Sequence, residues 1–447
     1  MEETKKSQTK INFRSITFQK YFKNTSWMFV EKIIRVLLGA YVIISITNYL
    51  GPRNFGLYSY ALSFAGIFTA IAALGLDSIL VRELVKTPEK HNLIMGTGFV
   101  LKLCGVLISF LLLIIAIIFT PNDQYTNFLI FIIAATPIFQ SLNVVDFYFR
   151  STVTAKNSVI VQSSSFFVAS LIKLLLIHLK FPLLYFVIFT VSEYFFMAIG
   201  FILIYQSKGF KIFAWRFDKI LSKVFFKDSW PLILSGVAIT IYMKIDQVMI
   251  KQMLGTSEVG YYASAVRLCE AWYFLPVVIT SSLFPAIINA KKNDEVLYQS
   301  RLQKLYDLIA WIAIAIALPT TFLSKFIIQL LYKPEFLPAT PVLTIYIWAG
   351  VGTFLGIASS QYLITENLTK IAFYRTGIGM IINVILNFIL IPFYGITGSA
   401  IATLISYLFA TFSLYFNANT KQQANMMLRA IFLVDIYKIL NKKWLSH

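Results

Sequence analysis

Apolar residues fill long stretches of this chain, and polar residues gather in short gaps between them. A helix that crosses a bilayer needs about 20 largely apolar residues. On that measure the pattern predicts twelve membrane-spanning helices: 27–49, 54–76, 93–119, 127–149, 157–179, 182–205, 230–252, 259–288, 305–332, 340–364, 371–392 and 396–417. The runs are too long for membrane-spanning strands and lack their alternation. The longest gap, 206–229, divides the spans into two sets of six. The predicted fold class is an all-α polytopic membrane protein. Its two six-helix bundles, 24–206 and 224–418, are related by a pseudo-two-fold axis along the membrane normal. A basic N-terminus (1–23), a basic linker (207–223) and a basic, partly amphipathic tail (419–447) complete the chain. Residues 426–444 mix apolar and basic side chains, which predicts a segment lying on the membrane surface.

A repeat supports the two halves. Leu254, Gly255, Gly260, Tyr262 and Ala265 spell L-G-x4-G-x-Y-x2-A. Leu50, Gly51, Gly56, Tyr58 and Ala61 spell it again, 204 positions earlier and without a gap. Each glycine pair is expected to bracket a tight turn, where a positive φ costs glycine little. A recurring turn chemistry without duplication is the alternative reading.

Composition agrees with a membrane protein. Of 447 residues, 58% are hydrophobic and 13% charged, against roughly 25% charged in soluble domains. Residues 1–25 lack the apolar core and cleavage site of a signal peptide. Cys104 and Cys269 lie inside apolar segments, and the three histidines have no ligand spacing, so no metal or other cofactor is expected. The formal charge of +19 would suggest nucleic acid in a soluble protein. Here no nucleic-acid partner is expected, because the cations sort by side. With a cytoplasmic N-terminus, 28 Lys and Arg fall on inner segments and four, Arg53, Lys180, Lys251 and Lys333, on outer loops. That asymmetry places both termini in the cytoplasm.

Seven cations remain inside spans: Lys32, Arg35, Lys102, Lys173, Lys244, Arg267 and Lys325. The acids at membrane depth are Glu31, Asp146, Glu193, Asp246 and Glu270. Each charge costs at least ~2.5–3.5 kcal/mol at a helix centre, so such residues face a wet cavity or a partner. Lys325 and Asp146 read best as snorkelling or structural pairs. Lys32, Arg35, Lys244 and Arg267, with Lys102 and Lys173, are candidate substrate-binding cations. The first four are expected to line one continuous positive cavity between the halves. Glu31 and Arg35, four apart, share a helix face. Asp246, Glu193, Glu270 and Glu31 are candidate coupling acids. A buried carboxyl balanced between desolvation and a nearby cation titrates near neutrality, and ion uptake there would bias one lobe arrangement. A permanent ion pair at Asp246 that only fixes packing is the competing reading.

Several motifs share an order. They are Asn48-Tyr-Leu-Gly-Pro52 with Phe55-Gly-Leu-Tyr58, Arg82-Glu-Leu84, Lys244-Ile-Asp-Gln247 with Leu254-Gly255-x4-Gly260-Tyr-Tyr262, and Leu390-Ile-Pro-Phe-Tyr-Gly-Ile-x-Gly-Ser-Ala400. Through them the chain from about 27 to 417 resembles the Wzx-type polysaccharide flippases. That family belongs to the multidrug/oligosaccharidyl-lipid/polysaccharide exporter superfamily, which also holds the MATE drug antiporters. The resemblance implies two six-helix lobes facing each other in a V, and a transporter rather than an enzyme. The implied cargo is an undecaprenyl-diphosphate-linked oligosaccharide. It would pass from the inner to the outer leaflet of the bacterial cytoplasmic (inner) membrane, for O-antigen or capsule synthesis. The implied partners are that lipid, the bilayer, a polysaccharide polymerase and a chain-length regulator. Coupling to protons or sodium stays open. Carrying a diphosphate and sugars through hydrocarbon unaided is prohibitive. A cleft with Lys and Arg replaces lost solvation, and Arg offers paired donors to phosphate oxygens. A MATE-like drug/cation antiporter would favour acids at depth, where cations here outnumber them seven to five. A lipid II flippase, the other alternative, has two additional C-terminal helices. A membrane enzyme would show a large outer loop.

Overall fold

The computed structural model describes residues 16–291 and 294–432, with side chains from Ile34 onward. Its first eight α-helices are α1 (Ile16–Ala73), α2 (Asp77–Lys86), α3 (His91–Ile118), α4 (Gln124–Ala134), α5 (Thr136–Gln140), α6 (Val144–Ser151), α7 (Lys156–His178) and α8 (Leu183–Ser207). The remaining seven are α9 (Lys219–Met253), α10 (Thr256–Glu270), α11 (Phe274–Lys291), α12 (Glu295–Leu331), α13 (Thr340–Thr365), α14 (Thr369–Phe412) and α15 (Lys421–Ile431).

Ten stretches are long and apolar enough to cross a membrane, and two of them, Ile34–Lys86 and Lys370–Phe416, hold 53 and 47 residues. At 1.5 Å per residue each runs about 70–80 Å, more than twice the ~30 Å hydrocarbon core. Each turns back at a glycine, Gly51 (φ 69°, ψ 172°) and Gly395 (φ 59°, ψ −142°), and the first breaks again at Leu74 and Gly75, where α2 begins. Both stretches therefore pass the membrane twice, and among the described residues the passes number twelve. Six belong to a first lobe (α1–α8) and six to a second (α9–α14, with α15 packed on it).

Helix ends differ from expectation where polar residues extend a helix past the membrane. α9 starts at Lys219 and α12 at Glu295, so the last part of the basic linker, 219–223, is helical. Both starts are capped by an aspartate: Asp218 and Asp294 accept from the N–H of Leu221 and Leu297. The fourth span is a chain of short pieces, α4, α5, a 3₁₀ turn at Ser141–Asn143 and α6. The expected surface segment is corrected for residues 426–431. They sit in α15, which packs on α12. Gln303 Nε2 donates to the Met426 carbonyl (3.0 Å) and Trp311 Nε1 to the Ala430 carbonyl (3.3 Å), with Met427 fully buried. The apolar face of α15 is thus covered by protein rather than lipid. Residues 433–447 of the tail lie outside the described residues.

The repeat governs where the lobes meet. Gly51 and Gly255 both have positive φ, 69° and 106°, and turn the chain between passes. Gly56 and Gly260 do not: both are helical, and their missing side chains serve close approach. A Cβ on Gly56 would stand 1.8 Å from the Thr256 carbonyl oxygen, and one on Gly260 2.0 Å from that of Pro52. Pro52 and Thr256 are themselves 204 positions apart. The contact is therefore reciprocal, as a pseudo-two-fold axis between α1 and α10 requires. Around it Phe55, Tyr60, Val259, Tyr262, Phe336 and Tyr346 form one buried cluster drawn from both lobes.

Candidate functional site

Two ends of the bundle differ in how the lobes are joined. At the end bearing Gly51 and Gly255, the glycine end, polar bonds reinforce the backbone contact. Asn48 Nδ2 donates to the Leu331 carbonyl (2.8 Å) and Asn48 Oδ1 accepts from the Lys333 N–H (2.9 Å). Gln252 Nε2 donates to the Tyr60 hydroxyl (3.0 Å), which donates to Asn122 Oδ1 (3.0 Å). Deeper in, Ser63 Oγ donates to Gln247 Oε1 (2.9 Å), with both residues buried. At the opposite, basic end, Arg82 Nη2 donates to Asp228 Oδ2 (2.5 Å), and both side chains are a third or more exposed.

Inside the first lobe a cavity of about 260 Å³ is lined by Arg35, Asp77, Asp146, Arg150 and Glu193. Its acids are taken. Asp77 holds Lys102 (2.8 Å), Glu193 holds Lys173 (3.2 Å) and Asp146 holds Arg150 one turn on (2.5 Å). Arg35 is the cation left over. Its guanidinium lies 5.0 Å from the Phe166 ring centroid, and among the described residues it has no ion pair. The Asp146 pair fits the structural role expected of it. Glu31 and Lys32 have side chains outside the described residues.

Inside the second lobe a larger cavity, about 320 Å³, is lined by Arg375, Ser360, Thr353, Tyr242, Tyr273 and Tyr407 among others, with no acid. Sequence reasoning missed Arg375 by counting it with the flanking cations. The usable signal was its place as the fifth residue of the predicted span 371–392.

Asp246 faces neither cavity and is 3% exposed. Its Oδ2 accepts from Tyr262 (2.7 Å) and Thr403 (2.6 Å), and its Oδ1 from Asn387 Nδ2 (2.8 Å). No cation pairs with it among the described residues, which corrects the ion-pair reading. A shell of neutral donors from α10 and α14 carries a buried carboxylate by charge-assisted bonds instead. Asn387 Oδ1 nearby is buried without a partner among the described residues. The asparagine pair Asn383 and Asn387, four apart in an apolar span, was the overlooked signal. Tyr262 is the repeat tyrosine, and its equivalent Tyr58 meets Thr190 Oγ1 (2.7 Å).

Neither of these two cavities is lined by Lys244 or Arg267. Lys244 is half-buried on another face of α9, without an ion pair among the described residues. Arg267 stacks its guanidinium 5.8 Å from the Phe55 centroid, across the lobes. Glu270 keeps Oε1 buried and unpartnered. Lys325 is exposed near the end of its helix, as a snorkelling lysine would be.

Comparison with known proteins places this architecture. Residues 21–291 match the polysaccharide biosynthesis protein family model, and 231–389 match the MatE model. The capsular polysaccharide biosynthesis protein CapF of Staphylococcus aureus is 21% identical, over 88% of this chain and 98% of that one. The probable flippase AglR of Haloferax volcanii is 22% identical, over 87% of this chain and 81% of that one. A solved structure of the lipid II flippase MurJ in an inward-closed conformation has a TM-score of 0.67 at 18% identity, covering 92% of each chain. Since the first model spans more than half its length, this twelve-pass, two-lobed chain belongs to the polysaccharide biosynthesis protein family of membrane proteins.

Proposed function

We propose that the chain is a lipid-linked polysaccharide flippase that carries an undecaprenyl-diphosphate-linked oligosaccharide across the bacterial cytoplasmic membrane. It is a transporter, not an enzyme, in keeping with the relatives named as flippases. The observation that carries the reading is the end-to-end likeness to CapF and AglR in a chain whose lobes each hold a cavity lined by an arginine without an ion pair among the described residues. The lobes are taken as 24–206 and 224–418.

The basic end faces the cytoplasm by the distribution of Lys and Arg. When the Arg82–Asp228 bridge parts, the headgroup enters and the lipid tail stays in the bilayer. Arg35 then meets the diphosphate with paired donors. The glycine end opens next and releases the headgroup to the outer leaflet. Ion uptake at Asp246 links these states. A proton or a sodium ion there displaces the donations of Tyr262 and Thr403. Tyr262 stands two residues from Gly260, so its release loosens the glycine-end seal. A polymerase and a chain-length regulator take the product onward.

Depletion in the native cell tests the reading. The expected result is accumulation of the lipid-linked repeat unit with loss of surface polymer. An unchanged lipid-linked pool together with normal polymer contradicts it.

A further inference from the structure

Among the described residues, no acid answers the charge that the second-lobe cavity carries. Arg375 Nη1 donates to Ser359 Oγ (2.7 Å) and Nη2 to Ser360 Oγ (2.8 Å) and, at 3.4 Å, to the Gly356 carbonyl. All three acceptors are neutral, and no acid lines the cavity. A half-buried guanidinium without a carboxylate partner is costly. Five N–H groups and three neutral bonds leave donors over. A second group points the same way: the Tyr242 hydroxyl lines this cavity and is buried without a hydrogen-bond partner.

The walls say what kind of anion fits. Tyr242 and Tyr407 lie side by side with ring centroids 4.5 Å apart and planes at 36°. Tyr273 completes the wall, with Thr353 and Thr411 between. A bare phosphate or chloride would rattle in about 320 Å³, a space equal to about ten waters at ~30 Å³ each. The negative faces of aromatic rings suit the C–H faces of a pyranose, and hydroxyls among them suit its oxygens. Arg375 lies within the first two turns of α14, on the side of the membrane where α13 ends and α14 begins.

We infer that this cavity is a binding site for a sugar ring bearing an oxyanion, the anion on Arg375 and the ring among Tyr242, Tyr273 and Tyr407. The inference rests on the transport reading and assigns part of the headgroup to the second lobe. The oxyanion has two sources, the phosphate next to the first sugar or the carboxylate of an acidic sugar.

Binding to the purified full chain in nanodiscs, by thermophoresis, separates them. The probes are N-acetylglucosamine 1-phosphate, glucuronic acid, neutral N-acetylglucosamine and inorganic phosphate. At least one anionic sugar is expected to bind about tenfold tighter than both the neutral sugar and phosphate, and the tighter one names the source. Arg375→Gln is expected to remove that advantage, and Arg375→Lys to keep part of it. Tyr242→Leu leaves the guanidinium and is expected to lower the anionic sugar to the level of phosphate. Equal binding of anionic and neutral sugars, or equal binding by wild type and Arg375→Gln, overturns the assignment. Binding is read without transport. A chain that flips lipid but fails this discrimination defeats the inference alone, and one that discriminates but does not flip defeats the transport reading alone.

Discussion

Asp246 and the glycines of the repeat each do one job that a neighbouring residue type cannot. Asp246 is the carboxylate inside a shell of neutral donors, and Tyr262 connects that shell to the helix segment holding Gly260. Asp246→Asn keeps the size but removes the charge. In proteoliposomes with a lipid-linked substrate, it is expected to abolish dependence on a pH or sodium gradient while downhill exchange continues. Gradient dependence that survives in Asp246→Asn would remove the coupling role. For the glycines the constraint is steric. With 1.8 Å and 2.0 Å to backbone oxygens, any side chain at Gly56 or Gly260 forces the two helices apart. Ser63, 2% exposed beneath that seal, is the reporter. Gly260→Leu is expected to let an impermeant maleimide reach Ser63→Cys from the glycine end, where the parent is protected. Protection that persists in Gly260→Leu would mean that the seal lies elsewhere.

At the scale of elements, the two ends are closed with different strength. The glycine end joins two helix backbones directly and buries aromatic residues from both lobes. At the basic end Gly75 packs closely on Leu232 and Phe225 is buried against the first lobe, and an exposed ion pair, worth roughly 0–1 kcal/mol, is the latch added to that packing. Asp228→Asn is expected to lengthen the distance between spin labels at positions 86 and 223 and to enlarge the open population a few-fold, as is high salt on the parent. A distribution unmoved by either would show that packing, not the latch, holds that end. The helices themselves were legible in the sequence, because a bilayer imposes a length on every apolar run. The reciprocal contact of Gly56 with Thr256 was not, because spacing shows that two segments are alike and not that they touch. The pairing of Lys102 with Asp77 stayed hidden for a similar reason: the break at Leu74 and Gly75 brings α2 beside α3. Arg375 was hidden by its place near a helix end, where a lysine or arginine ordinarily reaches the interface. α15 was misread because an amphipathic face looks the same whether lipid or α12 covers it.

For the whole molecule, the central claim is that the two lobes carry an anionic lipid headgroup past a pair of arginine-bearing cavities. Around the first-lobe cavity, among the described residues, three acids are matched by three cations, and Arg35 is the excess. That leftover charge is what a diphosphate would meet after entry from the basic end. The most direct measurement is the rate at which proteoliposomes containing only this purified chain move a fluorescent undecaprenyl-diphosphate-linked oligosaccharide between leaflets, read by protection from an impermeant quencher. The account predicts fast movement by the parent chain. It predicts at least about a tenfold loss in Arg35→Ala, as expected for a charge-assisted bidentate contact, with incomplete rescue by Arg35→Lys. Movement no faster than in protein-free vesicles would contradict transport of this cargo, and an Arg35→Ala rate equal to the parent's would contradict the role of the first-lobe cavity.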